Sequence, residues 1–218
     1  MDETTPVARS PIAPVHPTTI EHGWEVSARR SAAGLKITDC TPLAKVLVLA
    51  STDGELASTL GVPFGRALRD ARGTLVVGSG PGEWLLLAAP GTSAAVTQYV
   101  TQRVEEVKDE RLVSIFDVTH ARALVRVTGP RTPDLLAKVC AIDFADGVTP
   151  NGAAFRSSVA KLVTDVVRDD SGGSRSYLLH CERSSGQYLF DALIDAGHEF
   201  GIEVDGFVDP GYRGVHRA

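Results

Sequence analysis

Cysteine is scarce in this sequence, with Cys40, Cys140 and Cys181 as the only examples among 218 residues. They lie far apart, whereas a disulfide framework or a zinc site needs paired cysteines or closely spaced cysteine and histidine ligands. The six histidines also lack the i,i+4 and His-x-His spacings of a local metal site. The sequence therefore predicts no metal-binding residues and favours a reducing compartment, which we expect to be the cytoplasm.

A basic run is also absent, because 22 lysines and arginines are outnumbered by 27 aspartates and glutamates, giving a net charge of -5. Nucleic acids and anionic membrane surfaces need a basic patch that this sequence does not offer. No apolar stretch approaches the ~20 residues that span a bilayer. The acidic, proline-broken start is also unlike a secretory signal or a transit peptide. We expect a soluble protein with neither nucleic-acid nor membrane partners.

Aromatic residues make up only 6% of the chain. With so few of them, each large ring is a candidate for the core or for a subunit interface. We predict that Trp84, which lies in an apolar segment, belongs to the core. The sequence does not decide whether Phe64 belongs to the core or to an interface. It also does not decide whether Tyr212, in a glycine-rich tail, belongs to an interface or to a loose tail.

An internal repeat is the main feature that the sequence does contain. An apolar strand, a short helix, a hairpin of two strands and a longer helix are predicted twice, with Leu47 matching Val125 and Glu83 matching Ser176. Tight turns between strands, with helices on one side, are typical of antiparallel pairing. The repeat predicts an α+β fold of two similar βαββα halves with mainly antiparallel strands.

The start of the chain differs from both halves of the repeat. It contains Pro6, Pro11, Pro14 and Pro17 and few apolar residues, which predicts an extended arm that is either disordered or lies along another subunit. The predicted units are an extended N-terminal arm (1–23), a first α+β half (24–110), a second α+β half (111–208) and a C-terminal tail (209–218).

Several residues mark predicted helix ends. Thr52 and Glu55 have the spacing of a capping box, and Gly61 supplies a left-handed stop for the short helix that they open. In the second half, Thr132 and Pro133 are predicted to occupy the N-cap and first helical positions.

A glycine-rich segment, Gly78-Ser-Gly-Pro-Gly-Glu83, raises the possibility of dinucleotide binding. That kind of site requires the glycines to open a helix. Here the following residues, Trp84-Leu-Leu-Leu87, continue as a strand, so the sequence favours a hairpin turn.

Residues of the types that act in catalysis do not form a recognisable catalytic motif in this sequence. No serine lies in a G-x-S-x-G motif. Asp117, at the end of an apolar strand, could act as a general base, although a carboxylate that accepts backbone hydrogen bonds is favoured. His180 is predicted to be a hydrogen-bonded core residue. Asp143 lies in a turn after a helix, where it could face a ligand, although a structural turn is favoured. We therefore predict no catalytic residues.

Several segments carry a resemblance to a known family, namely Phe116-Asp-Val-Thr119, Val125-Arg-Val-Thr-Gly-Pro130, Asp134-Leu-Leu-Ala137 and Ala141-Ile-Asp-Phe144. They resemble the folate-binding aminomethyltransferase-like superfamily, typified by the glycine-cleavage T-protein. Within it, Arg9-Ser-Pro-Ile-Ala13 and Gly80-Pro-Gly-Glu-Trp-Leu-Leu-Leu87 resemble the gamma subunits of heterotetrameric sarcosine oxidases. The resemblance extends from Arg9 to about Ala196.

The resemblance implies a role inside a larger enzyme. These oxidases demethylate sarcosine or a related N-methyl amino acid, pass electrons to oxygen and deliver the one-carbon unit to tetrahydrofolate. FAD, FMN, NAD, tetrahydrofolate and zinc are implied for the partner alpha, beta and delta subunits. The gamma chain is implied to bind no cofactor and to contact chiefly alpha.

The alternative that the resemblance leaves open is an independent folate-binding protein of the aminomethyltransferase kind. In that case Asp143 corresponds to an aspartate that contacts folate in the T-protein lineage. Ala141 and Ile142 replace the threonine and asparagine that precede that aspartate in the lineage. Asp143 is therefore a weak candidate for a folate contact.

Overall fold

The computed structural model describes residues 6–107 and 112–208. The predictions for Tyr212 and for the tail at 209–218 lie outside the described residues.

The described chain alternates strands with four α-helices. The strands are β1 (Ala8–Arg9), β2 (Thr18–Glu21), β3 (Trp24–Ser27), β4 (Leu35–Asp39), β5 (Ala44–Leu49), β6 (Ala67–Arg69), β7 (Leu75–Gly80), β8 (Glu83–Ala88), β9 (Ser114–Asp117), β10 (Arg122–Thr128), β11 (Ala154–Val159), β12 (Leu162–Arg168), β13 (Ser176–Glu182) and β14 (Ile202–Val204). The α-helices are α1 (Glu55–Leu60), α2 (Ser93–Glu106), α3 (Thr132–Val139) and α4 (Gly186–Gly197). Short 3-10 turns lie at Arg183–Ser185 and His198–Phe200.

The strands form two large sheets of matching order. The five-stranded sheet runs β6-β7-β8-β5-β9, the six-stranded sheet runs β11-β12-β13-β10-β4-β14, and a small third sheet runs β1-β3-β2. The β1–β3 and β4–β14 pairs are parallel, and the other strand pairs that the structure describes are antiparallel. The predicted α+β fold with mainly antiparallel strands is confirmed.

The two halves exchange one strand. β4 precedes β5 in the chain, yet it pairs with β10 of the other sheet, with Ile37 opposite Val127. In return, β9 precedes β10 but pairs with β5, with Phe116 opposite Leu47. Because each sheet takes its strand from the other half, separating the halves would remove a strand from both sheets.

Three apolar clusters show how the layers stack. The first lies between the six-stranded sheet and helices α3 and α4, and it includes Leu135 and Leu193. The second joins Leu85 of one sheet to Leu124 and Leu178 of the other, so the two sheets pack face to face. The third lies between the five-stranded sheet and helices α1 and α2. The layers therefore follow the order helices, sheet, sheet, helices.

The sequence located the helix ends only in part. Gly61 ends α1 in the left-handed conformation with a φ of 65°, as predicted. The capping box is wrong, because Gly54 is the N-cap of α1 and no side chain caps the helix. The cap predicted at Thr132 is also wrong, since Arg131 is the N-cap of α3 and the Thr132 hydroxyl is buried without a described partner.

The glycine-proline break after β10 has a steric cause. Gly129 adopts a φ of 142°, and a Cβ at this position would lie 2.1 Å from the carbonyl oxygen of Gly34. Only glycine permits this close approach of two backbone segments. The glycine at position 129 therefore lets the loop before β4 lie close to the segment that joins β10 to α3.

The arm packs on its own chain, against β3 of the first half and against the second half. Ile12 is 1% exposed and belongs to the cluster beneath α3 and α4. The Ala13 amide donates to Gln187 Oε1 at 2.7 Å, and the Arg183 guanidinium donates to the Arg9 carbonyl at 2.7 Å. From residue 6 onward, the structure places the arm on this chain.

Trp84 lies in the core, which confirms the prediction. Its side chain is buried with 5% exposure, and its Nε1 donates to the Val62 carbonyl at 2.8 Å. We expect Trp84→Phe to lower the free energy of unfolding by about 2 kcal/mol, because it leaves a void and an unsatisfied buried carbonyl. Urea unfolding measures this loss. Phe64→Leu is the control, because Phe64 is 62% exposed; equal losses in both variants would contradict the account.

None of the helices in the described residues is both long enough and apolar enough to span a bilayer.

Candidate functional site

Asp143 lies in an exposed turn between α3 and β11. Its Oδ1 accepts a hydrogen bond from the Ala145 amide at 2.8 Å, which closes a local turn. This is the structural arrangement that the sequence favoured, and the residue itself is exposed to solvent. Asp143 is not among the residues that line the pocket between the two large sheets. Its contact with folate stays a prediction.

Asp117 also organises a turn. It ends β9, and its Oδ1 accepts from the Thr119 amide at 2.9 Å. Partial burial raises the pKa of this carboxyl, but hydrogen bonds with Ser93 and Thr119 outweigh burial and lower the pKa below its usual value. A carboxylate held ionised by a turn and a helix start fits a structural role better than that of a general base.

A pocket of about 280 Å³ opens between the two sheets, and we call it the inter-sheet pocket. Strands from both halves contribute to it, so it depends on the face-to-face packing of the sheets. Its lining is Leu47, Ser79, Glu83, Leu85, Val118, Arg122, Arg156, Val163, Asp165, His180 and Glu182.

Arg156 connects the two sheets at this pocket. From β11 it reaches Asp165 of the neighbouring strand at 2.6 Å and Glu83 of the other sheet at 3.0 Å. A second pair, Arg122 with Glu182, links β10 to β13. These ion pairs form the charged wall of the pocket.

His180 is the most deeply buried titratable group of the pocket. Its side chain is 8% exposed, and Nδ1 lies 3.3 Å from Asp165 Oδ2. Burial lowers the pKa of His180, and the neighbouring Asp165 opposes that shift only partly. Burial raises the pKa of Asp165, but the hydrogen bonds to His180 and Arg156 outweigh it and lower that pKa. At neutral pH the pair is therefore a neutral imidazole that donates from Nδ1 to an ionised carboxylate.

The structure brings His180 and Asp165 together through strand register. They are direct partners across β12 and β13, so their side chains share one face of the sheet. The sequence predicted His180 as a hydrogen-bonded core residue, which the structure confirms, but it missed Asp165. The available signal was a carboxylate and a histidine at inward positions of consecutive strands.

A larger open cleft of about 830 Å³ lies elsewhere, between the start of α1 and the β7–β8 turn. Its carboxylates, Asp53 and Glu55, are exposed to solvent. A hydrogen bond from Ser51 lowers the pKa of Asp53, which makes this carboxylate a weaker base, and neither carboxylate has the burial that raises the pKa of a catalytic acid or base. The smaller inter-sheet pocket is therefore the better candidate for a functional site.

Among residues 6–107 and 112–208, no three histidine, cysteine or carboxylate side chains are grouped so that they could hold a metal ion. His120 stacks on Trp24 with ring centroids 4.7 Å apart. The three cysteines are free and buried.

Comparison with curated proteins shows similarity over much of the chain. It is 27% identical over 123 residues to the human mitochondrial dimethylglycine dehydrogenase, a match that covers 56% of this chain and 14% of that protein. It is 26% identical over 201 residues to an aminomethyltransferase of Saccharopolyspora erythraea, covering 84% of this chain and 52% of that protein. The chain thus spans about half the length of one of these relatives and a small part of the other.

Two solved structures share the fold. A chain of the heterotetrameric sarcosine oxidase from Corynebacterium sp. U-96 superposes with a TM-score of 0.65 at 21% identity, covering 79% of this chain and 89% of that chain. The glycine cleavage system aminomethyltransferase T from Bartonella henselae gives a TM-score of 0.63 at 14% identity, covering 87% of this chain and 55% of that chain. Residues 71–208, more than half of the sequence, match the family model described as the GCVT N-terminal domain. The chain therefore belongs to the GCVT N-terminal domain family.

Proposed function

We propose that this chain is a non-catalytic, gamma-type subunit of a cytoplasmic, heterotetrameric, flavin-dependent sarcosine oxidase. The observation that carries the proposal is length: the chain spans 89% of a chain from a heterotetrameric sarcosine oxidase, but only 55% of an aminomethyltransferase chain. The flavins, NAD, tetrahydrofolate and zinc belong to the alpha, beta and delta partners in this proposal. The present chain completes the assembly, chiefly against alpha.

Exposed aromatic side chains support a subunit role. Phe64 is 62% exposed and Phe116 is 48% exposed. Large rings on a surface are the usual anchors of protein interfaces, since burying them on association removes much apolar area from water. We propose Phe64, which precedes β6, as one anchor against the alpha subunit.

Co-purification tests the proposal. The tagged full-length chain, expressed together with the products of its neighbouring genes, is expected to retain the large flavin-containing subunits through affinity and gel-filtration steps. If those subunits assemble into an active oxidase while this chain elutes separately, the proposal is wrong.

The contribution of Phe64 has its own test. Phe64→Asp is expected to reduce the recovered partner subunits at least tenfold, because it places a charge in an apolar contact. Gln98→Asp adds the same charge on the exposed side of α2 and is expected to leave recovery unchanged. Equal recovery in both variants would place the interface away from Phe64, while the wild-type result still tests the subunit role.

A second candidate is an independent folate-binding protein of the aminomethyltransferase kind, with Asp143 as its folate contact. It is favoured by the 26% identity to an aminomethyltransferase over 201 residues. Titration of the isolated chain with tetrahydrofolate separates the two candidates. The subunit proposal expects no saturable binding at millimolar tetrahydrofolate, whereas binding that Asp143→Ala abolishes would support the second candidate.

A further inference from the structure

The second half of the chain closes an aromatic cluster on the helix side of its sheet. Phe144, which lies between α3 and β11, is 4% exposed. The centre of its ring lies 5.5 Å from that of Tyr177 on β13 and 6.2 Å from that of Phe155 on β11. These three rings shield Phe144 from water.

The first half places matching side chains around the same point of its own sheet. Phe64 lies between α1 and β6, as Phe144 lies between α3 and β11. Trp84 is the second residue of β8, as Tyr177 is of β13. Both of these β-strand residues are buried on the helix side of their sheets.

Strand register supplies the third match. Leu68 of β6 pairs with Val76 of β7, and Val76 pairs with Leu86 of β8. Direct partners share one face of a sheet, so Leu68 lies on the helix side with them. The same series of pairs in the second half consists of Phe155, Val166 and Leu179. Leu68 therefore corresponds to Phe155.

The first-half cluster is open where its counterpart is closed. Phe64 is 62% exposed and Leu68 is 57% exposed. A groove of about 440 Å³, which we call the α1 groove, separates Phe64 from α1 and the β7–β8 turn. Its lining is Thr52, Ala57, Ser58, Gly61, Val62, Pro63, Phe64, Gly80, Pro81, Gly82 and Trp84.

Phe64 is presented on a well-held backbone. The Gly65 amide donates to the Gly78 carbonyl at 3.0 Å, and the Gly78 amide donates to the Arg66 carbonyl at 2.8 Å. A Cβ on Gly78 would overlap the Pro63 carbonyl, so this segment lies directly on β7. A ring that is already held in place loses little freedom on association, which favours its use as an anchor.

The lining of the α1 groove limits what can cover it. Charged residues make up 22% of the chain, yet the described residues that line this groove are all uncharged. Such a wall cannot compensate a charge that loses its hydration. In the second half, rings fill the corresponding place. The α1 groove therefore matches an uncharged, aromatic or large aliphatic side chain.

We propose that the alpha subunit covers this open cluster and inserts an uncharged aromatic or large aliphatic side chain into the α1 groove, against Phe64 and Trp84. The proposal rests on the subunit role and deepens it by naming the surface and the chemistry of the contact. A heterotetramer of four different subunits holds one copy of this chain, so the inserted side chain comes from a partner.

Three substitutions of Ser58 test the groove. Ser58 is exposed on α1 and lines the groove. The tagged full-length chain is co-expressed with the products of its neighbouring genes, and the alpha subunit recovered per tagged chain is measured after gel filtration. Ser58→Glu and Ser58→Arg are both expected to lower recovery about tenfold or more, because either charge loses its hydration in an apolar contact. Ser58→Leu is expected to retain recovery.

Thr59 provides the matched control. It is the next residue of α1, is exposed, and is not among the residues that line the groove. Thr59→Glu and Thr59→Arg are expected to leave recovery unchanged. Leu68→Asp, at the β6 end of the same surface, is expected to lower it. The melting temperature of each purified chain, expected to equal that of the wild type, separates lost contact from lost folding.

The outcomes distinguish this inference from the subunit role. If the wild type and all three Ser58 variants recover the alpha subunit equally, the inference is wrong and the subunit role stands. Opposite effects of Ser58→Glu and Ser58→Arg would mean a charged occupant and would also contradict it. A dimer of the wild-type chain that Ser58→Glu dissociates would assign the groove to a second copy. A wild-type chain that retains no partner would overturn the subunit role itself, and the inference with it.

Discussion

Asp169→Asn is expected to lower the free energy of unfolding by about 3–5 kcal/mol, because it removes the carboxylate that compensates a buried guanidinium. Asp169 follows β12, and its side chain is 9% exposed. Its Oδ2 lies 2.7 Å from Arg126 of the six-stranded sheet and 2.7 Å from Arg69 of the five-stranded sheet. The Asp169 carboxylate therefore contacts a guanidinium from each of the two sheets.

The size of the effect follows from desolvation. The Arg126 side chain is only 12% exposed, and it also donates to Ser176 Oγ at 2.7 Å and to the Asp169 carbonyl at 3.1 Å. An asparagine fills the same space but supplies no negative charge, so the guanidinium stays in a poorly solvated position without the Asp169 carboxylate. Loss of that charge costs more than loss of one neutral hydrogen bond.

Equilibrium urea unfolding at neutral pH measures the change. Glu106→Gln serves as the control, because Glu106 pairs with Arg103 on the exposed end of α2, with side-chain exposures of 63% and 42%. This control is expected to change the free energy of unfolding by at most about 0.5 kcal/mol. A loss below 1 kcal/mol in Asp169→Asn would contradict the role assigned to the carboxylate.

Lys45→Met is expected to stabilise the protein at pH 7 by about 3 kcal/mol and to lose this advantage as the pH rises toward 10. Lys45 is completely buried on β5, and its Nζ donates to the carbonyls of Thr41 at 2.7 Å and Leu43 at 2.9 Å. Burial lowers the pKa of Lys45 to about 7, and the carboxylates of Asp39 and Asp117 oppose that shift only partly. The unfolded chain has the ordinary value of 10.5.

The sign follows from proton linkage. Between pH 7 and pH 10.5 the unfolded chain holds a proton on Lys45 that the folded chain has released, so the free energy of unfolding rises with pH in this window. The slope is about 1.4 kcal/mol per pH unit, and it disappears below the folded pKa. At pH 7, the difference between the folded and unfolded pKa values of Lys45 lowers the free energy of unfolding by about 5 kcal/mol. Two lost carbonyl hydrogen bonds in the variant offset about 2 kcal/mol of its gain.

The measurement is the free energy of unfolding of wild type and Lys45→Met at half-unit steps from pH 7 to pH 9.5. The difference between the two proteins should shrink by about 1.4 kcal/mol per unit. Lys161→Met, which removes an exposed lysine of the β11–β12 turn, is expected to give a pH-independent difference. A constant difference for Lys45→Met would contradict the burial of a neutral lysine.

Local features of the fold were predictable from the sequence because they depend on neighbouring residues. Gly61 ends α1 since only a residue that tolerates the left-handed conformation fits there. The segment from Gly78 to Glu83 forms a hairpin turn, as the following strand pattern indicated. The continuous apolar run Trp84-Leu-Leu-Leu87 correctly predicted a core strand.

Features that depend on distant contacts were missed. The pairing of the second half's strands with partners across the two sheets was not predicted. The exchange of β4 and β9 was also missed, because residue patterns do not specify which sheet a strand joins. The proline-rich arm was expected to lack a core, whereas its Ile12 is buried beneath two helices.

The inter-sheet pocket could not be predicted for the same reason. Asp165 and His180 lie 15 positions apart, and their pairing depends on the length of the turn that joins β12 to β13. Arg156 meets Glu83 only because the two sheets pack face to face. Their separation of 73 positions left no local pattern in the sequence.

Light scattering combined with absorbance detection, applied to the species purified through this chain from its own cells, tests the central claim most directly. The account predicts one yellow complex, far heavier than the 23.1 kDa chain, that contains the chain in stoichiometric amount and consumes oxygen when sarcosine is added. A colourless species of about 23 kDa, with the sarcosine-oxidising activity in separate fractions, would contradict it.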